Sequence, residues 1–413
     1  MNLFFFSCKK SHPRSENETQ TIDRTLPGFY DINFKTIFTQ KENYSPNDSA
    51  IVSQLNDYYT HVWEAQKLSG GILIARGNHV LFEKYTGYAN IETKTPVTPT
   101  TPIHVASVTK ILTSLAILKL IEADKLSLNQ KVSSLFSDFP YPDITLQDLL
   151  THRSGLPNYA YVVEKIKSWD RSKKMTNDDV LNLFISHKPE LLFQRDTRFS
   201  YSNTNFTLLA LIVEKITGES FPNALDKMIF KPLGMNHSYI FQEKDLPNAT
   251  LSYYANGKPY GFDYLALVYG DKNLYTTPED LFKLSQAMYA LNFLRKDLLE
   301  KMFTPYSNEK QGIKNYGLGM RIMVLKNGKK IIYHTGWWNG NNAIFISLPD
   351  EKITLIALGN KYSRAVYSVI RLTSLFGDYP LYKEEINHNG GNSTTTSTKK
   401  KPKSKPDRTK FFH

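Results

Sequence analysis

Ser107 and Lys110 stand three residues apart in Ser107-Val108-Thr109-Lys110, a spacing that puts both side chains on one face of a helix. An alcohol is a weak nucleophile by itself and needs an adjacent base; an amine is such a base whenever it is neutral. Ser7/Lys10, Ser307/Lys310 and Ser397/Lys400 share the spacing. Context separates them. Only Ser107 opens a strongly periodic apolar run, Val108, Ile111, Leu112, Leu115, Leu118 and Ile121, which predicts a helix with a buried stripe. A second group is Tyr201-Ser202-Asn203, where a phenol can relay a proton and an amide can bind substrate or orient the lysine. A third is His334-Thr335-Gly336, read as the end of a strand. Protonated, His334 would bind a carboxylate; neutral, it would complete a proton network. Gly336 lets substrate approach the backbone, and the N–H groups of Ser107 and Trp337 would make an oxyanion hole.

The elements that must position these groups are legible from periodicity. Ile51, Leu55, Tyr58, Tyr59, Val62 and Trp63 recur at helical spacing over Ser49–Leu68. Ile72–Ala75 and His79–Tyr85, joined across Gly77-Asn78, predict a β-hairpin, and Thr93–Pro102 an extended loop. From about 124 to 310 the chain reads as helix and loop, most clearly at Leu208–Thr217 and Pro278–Leu291. Strand character returns at Leu318–Leu325, Lys330–Tyr333, Ala343–Ser347 and Ile353–Leu358, and Arg364–Leu375 reads as a last helix. The expected architecture is α/β of the α+β kind: one antiparallel sheet from both chain ends, flanked by N- and C-terminal helices, with a mainly helical insert. The boundaries expected are a leader and linker over 1–48, a catalytic domain over 49–385 and a basic tail over 386–413. Sheet parts fall at about 49–106 and 311–376, the insert at about 107–310, and the cleft where they meet.

Taken together and in this order, Ser-x-x-Lys, Tyr-x-Asn and His/Lys-x-Gly resemble the serine β-lactamase and penicillin-binding-protein superfamily. The branch most similar is that of class C β-lactamases, DD-peptidases and related esterases, which use tyrosine in the second motif. Leu149–Leu156, Pro232-Leu233-Gly234-Met235, Tyr316–Met320 and Thr277–Leu281 resemble it too, so the likeness spans roughly residues 50–376. The resemblance implies that Ser107 attacks a carbonyl, Lys110 and Tyr201 share the acid–base work, and Asn203, His334, Thr335 and Gly336 bind substrate. Water then hydrolyses the acyl-enzyme, on amide, peptide or ester substrates. Two departures stand out. His334 replaces the lysine of class C β-lactamases, which favours peptidase or esterase activity over β-lactam hydrolysis. Gly270-Asp271-Lys272-Asn273-Leu274 replaces a glycine pair beside the cleft. The alternative of another class is a non-catalytic wall- or peptide-binding module with the same fold.

Composition bounds the rest. Lys399–Lys410 holds seven lysines and arginines against one aspartate, half of the net charge of +12. Behind the polar run Asn389–Thr398, that segment is expected to be a disordered basic tail able to touch anionic lipid or wall polymer. No basic stripe interleaved with aromatics suggests nucleic acid, and the ten histidines show no metal-ligand spacing, so no cofactor or metal is implied. The partner expected is a small-molecule or peptide substrate. The single cysteine, Cys8, follows a short apolar run, Leu3–Phe6, and resembles the lipidated cysteine of a bacterial lipoprotein signal. It implies the cell envelope, or the cytoplasm if no signal precedes it.

Overall fold

The computed structural model describes residues 32–166, 169–310 and 312–381. Cys8 and the basic tail lie outside them. The apolar runs before Ser107 form a hairpin, β1 (Gly70–Arg76) and β2 (His79–Thr86). Three short strands, β3 (Ile103–His104), β4 (Tyr239–Ile240) and β5 (Leu274–Thr276), pair in a small sheet. After residue 310 come β6 (Lys314–Tyr316), β7 (Arg321–Val324), β8 (Lys330–Trp338), β9 (Asn341–Leu348) and β10 (Ile353–Gly359). The main sheet runs β2-β1-β10-β9-β8-β7-β6, antiparallel throughout, so both chain ends do build one sheet.

Side chains alternate across a strand, and here both faces are covered. Ile72, Ile74, Tyr333, Ile344, Ile346 and Leu355 face a core closed by the terminal helices, whereas Leu73, Ile332, Phe345, Ile356 and Leu358 face the insert. This is why β9 and β10 are buried along their whole length and read as continuous apolar runs rather than alternating ones. On the outer face lie α1 (Asp48–Tyr58), which continues as a π-type turn through Glu64, and the 3₁₀ helix Arg364–Leu375.

The insert is built around α2 (Thr109–Glu122), with α3 (Leu146–Leu150), α4 (Tyr159–Lys165), α5 (Asn203–Thr217) and α6 (Pro278–Ala287) among its helices. Four expectations are corrected. Residues 32–47 are not linker: Phe38 is buried, and Asn43 Oδ1 accepts the N–H of Asn78 at 2.6 Å in the hairpin turn. The stretch from about 124 to 310, read as helix and loop, also holds β4 and β5, which pair with β3 inside a mainly helical insert. The third motif is not at a strand end, because β8 continues through Trp338. And α2 is buried on all sides from Thr109 to Leu120 rather than along one stripe, because it lies between sheet and insert.

That burial encloses Lys119, whose ammonium donates to Phe293 O at 2.6 Å and sits 4.2 Å from the Phe293 ring. Burial pushes it down from 10.5 to about 7, with Glu122 opposing. Between those values the unfolded chain holds a proton that the folded chain lacks, so stability must rise with pH over that window. From about pH 7 to about pH 9 the wild-type protein should gain up to about 2 kcal/mol more than Lys119→Met in urea unfolding. Parallel pH curves for the two proteins would refute this.

Candidate active site

A tight turn presents Ser107. Ala106 has φ +48°, an uncommon conformation for a residue with a Cβ, and a 3₁₀ turn, Ala106–Val108, leads from it into α2. The turn is held on both sides. Thr109 Oγ1 donates to Ala106 O at 2.6 Å, and Ala106 N donates to His104 Nδ1 at 3.3 Å. From the sheet, Gly336 comes so close that a Cβ there would lie 2.0 Å from Val105 O. Glycine at 336 is therefore required for β8 to reach the turn.

Lys110 is fully buried. Its Nζ lies 3.1 Å from Ser107 Oγ, 2.9 Å from Asn203 Oδ1 and 2.7 Å from Asp271 O. The two carbonyl oxygens only accept, so they take two N–H groups; the hydroxyl can accept or donate. A neutral amine has two hydrogens and one lone pair. The ammonium donates to all three oxygens; in the neutral form, with both hydrogens on Asn203 and Asp271, the lone pair faces Ser107, the geometry a general base needs. Asn203, the first residue of α5, is thus a ligand of Lys110, one of the two roles its amide allowed.

Tyr201 takes a different place from the one expected. Its ring, not its oxygen, faces Lys110, with Nζ 4.9 Å from the ring centroid. The hydroxyl is buried and hydrogen-bonds neither Ser107 nor Lys110. The amine already has three oxygen partners, and the ring is wedged against His152, 4.3 Å between centroids. His152 is a structural tie: its Nδ1 accepts from Ser202 N at 3.3 Å and Asn205 Nδ2 at 3.0 Å, so the neutral ring carries its hydrogen on Nε2. Burial, then Lys110, Arg321 and His334, hold it well below the ordinary imidazole range.

His334 shares the insert face of β8 with Ile332, Gly336 and Trp338, while Thr335 and Trp337 alternate to the other face. Its Nδ1 donates to Thr335 O at 2.8 Å and its Nε2 accepts from Tyr316 Oη at 3.1 Å. Both nitrogens are satisfied by the neutral ring. Burial, then Arg321 and Lys110, push its pKa well down. The contacts suit the neutral ring, and the direction of the shift favours it over the carboxylate-binding cation. The fixed positive charge nearby is Arg321, which the sequence reading missed; its guanidinium carbon lies 5.0 Å from the Tyr201 ring centroid. Burial opposes its charge, Tyr333, Tyr201 and Tyr316 favour it, and the net direction is up.

The sheet adds an open edge. β7 pairs with β8 only from Lys330 to Tyr333, so from His334 to Trp338 one side of β8 has no strand partner among the described residues. An extended substrate can use that edge. Beside it, His104, Phe241, Tyr260, Phe262, Tyr275 and Trp338 line a cavity. No group of His, Cys, Asp and Glu among the described residues is placed to hold a metal ion.

A turn presenting Ser107 between an antiparallel sheet and a helical insert, with a buried lysine behind it, has the architecture of the serine β-lactamase fold. The model of the Beta-lactamase family matches residues 52–374, and the chain belongs to that family. It is 29% identical over 330 residues to penicillin-binding protein 4* of Bacillus subtilis, covering 76% of this chain and 72% of that one. A penicillin-binding protein structure from Bacillus halodurans superposes with a TM-score of 0.70 at 29% identity, covering 77% of this chain and 98% of the other. The octameric penicillin-binding protein homologue from Pyrococcus abyssi gives 0.67 at 28% identity, covering 78% and 77%.

Proposed function

We propose that this protein is a serine hydrolase that works through an acyl-enzyme on Ser107, with DD-peptidase- or esterase-like activity on peptide, amide or ester substrates of the cell envelope. The observation that carries the reading is the Lys110 amine, 3.1 Å from Ser107 Oγ with its other contacts fixed on two carbonyl oxygens. In acylation Ser107 Oγ bonds the substrate carbonyl carbon while its proton passes to Lys110 Nζ. The oxyanion is held by the N–H groups of Ser107 and Trp337. Collapse of the tetrahedral intermediate returns the proton to the leaving amine or alcohol, and water releases the acyl group. Tyr201 joins as a relay once substrate draws its hydroxyl toward the leaving group, since such contacts tighten in the complex. Arg321 supplies positive charge for an acidic end of the substrate. The aromatic cavity beside Trp338 suits an apolar substituent next to the scissile carbonyl.

The preference for peptide or ester over β-lactam turnover rests on the neutral His334 where class C β-lactamases have lysine. The test is a panel of a D-Ala-D-Ala-terminated peptide, a p-nitrophenyl ester and benzylpenicillin, followed by product release and intact mass. Expected are turnover of the peptide or the ester, and a penicillin adduct that persists. Rapid penicillin turnover with no accumulating adduct would replace this reading with β-lactamase. No turnover of any substrate, and no adduct, would leave a binding module.

A further inference from the structure

The departure at Gly270-Asp271-Lys272-Asn273 puts a second lysine beside the first. This segment is fastened along α2: Thr113 Oγ1 donates to Gly270 O at 2.7 Å, and Leu274 N donates to Thr109 Oγ1 at 3.1 Å. Lys272 and Asp271 are both buried. Lys272 Nζ donates to Tyr159 Oη at 2.8 Å and Val268 O at 2.9 Å, and lies 3.6 Å from Asp271 Oδ1. Tyr159 Oη in turn donates to Asp271 Oδ2 at 3.1 Å. The same tyrosine reaches the other side of the site, where its N–H donates to Thr204 Oγ1 at 2.8 Å, next to Asn203. Tyr159 thus links Asp271, whose carbonyl holds Lys110, to Thr204, the neighbour of the second acceptor Asn203.

A buried lysine with one partly satisfied carboxylate is a costly way to fasten a loop, since an apolar residue would pack as well. What an apolar residue cannot supply is charge. We propose that Lys272 is a positioning residue for catalysis: with Asp271 and Tyr159 it fixes the two acceptors of the Lys110 amine and holds a second cation behind it, so that the Lys110 lone pair is free to take the Ser107 proton. This rests on the acyl-enzyme reading above. A neighbouring cation disfavours a protonated amine, the arrangement that activates lysines elsewhere. Burial lowers Lys272 itself, Asp271 and Asp263 oppose, and Lys110 lowers it further. Tyr201, His152 and His334 also face Lys110, with Arg321 and Tyr316 against the Tyr201 ring.

The test measures the pre-steady-state rate of Ser107 acylation by a p-nitrophenyl ester across pH, in the full chain, for wild type, Lys272→Met, Tyr159→Phe and Asp271→Asn. Lys272→Met is expected to slow acylation about 100-fold with little change in KM. It should also move the acid limb of the rate upward by about one pH unit, because the remaining Asp271 carboxylate favours the Lys110 ammonium. Asp271→Asn should move the limb the opposite way. Tyr159→Phe, which removes one hydroxyl and no charge, should slow acylation about tenfold without moving the limb. A folded Lys272→Met protein with wild-type rate and limb overturns the proposal. Should that variant not fold, an unchanged acylation rate in Tyr159→Phe overturns it. Labelling of Ser107 by a fluorophosphonate separates the two readings: no label in wild type removes the hydrolase reading and this with it, whereas a label with unchanged variants removes this one alone.

Discussion

Ser107→Ala should lose every covalent adduct and at least about 1,000-fold of kcat/KM while keeping its fold. The serine is half-buried at the mouth of α2, and its side chain makes one recorded hydrogen bond, to Lys110. Removing the hydroxyl leaves no cavity in the core and no unpaired buried group except the face of the Lys110 amine that met it at the cleft. The stability change should therefore stay within about 1 kcal/mol. The strained φ at Ala106 is untouched, because it is set by His104, Thr109 and the approach of Gly336 rather than by the serine. What remains is the oxyanion pocket and the substrate edge of β8, so substrate should still bind with near-normal affinity. Intact mass after incubation with a penicillin and with a fluorophosphonate reads the adduct, and thermal unfolding reads the fold. An adduct that survives the substitution would move the nucleophile elsewhere.

The turn that brings Ser107 to Lys110 was legible because two independent signals agree at one place. A Ser-x-x-Lys spacing occurs four times, but only at Ser107 does an apolar period of three and four follow, and that period is a packing signal. Asn203 and His334 are singled out by motif and context: Tyr201-Ser202-Asn203 leads into a helix, and His334-Thr335-Gly336 follows a strand-like run that the structure extends through Trp338. The sheet built from both chain ends was legible from where the strand-like runs fall.

What the sequence hid is of three kinds. Asp271 serves Lys110 through a backbone carbonyl, and every residue has one, so no residue type announces it. The protonation of His334 depends on which partners flank its two nitrogens, Tyr316 and Thr335, and only the packed sheet sets that. The Tyr201 hydroxyl is a question of rotamer, decided by His152 and Arg321 pressing on the ring. Strand β8 was cut short at Tyr333 because His-Thr-Gly lacks the β-branched apolar alternation, although the ladder to β9 continues through Trp338. The small sheet escaped notice because two of its strands are two residues long, below any detectable period.

Lys110 offers the sharpest separation between a base and a mere cation. Lys110→Met should lower kcat by about 1,000-fold or more with KM within a few-fold, since the amine touches the nucleophile and not the substrate. Methionine also leaves Asn203 Oδ1 and Asp271 O without their shared donor, which costs about 1–3 kcal/mol for each group left buried. Removal of a buried charge offsets part of that, so Tm should fall only modestly. Lys110→Arg is the informative partner. It keeps a positive charge near Ser107 and donors for both carbonyls, but a guanidinium does not give up its proton in a protein. If Lys110 acts by holding Ser107 and the oxyanion electrostatically, arginine should restore much of the rate. If Lys110 takes the proton, arginine should be as inactive as methionine at neutral pH, and no rise in pH should rescue it. The geometry favours the second outcome, because two of the three contacts of Nζ are to oxygens that can only accept, and the third is to the one oxygen that has a proton to give.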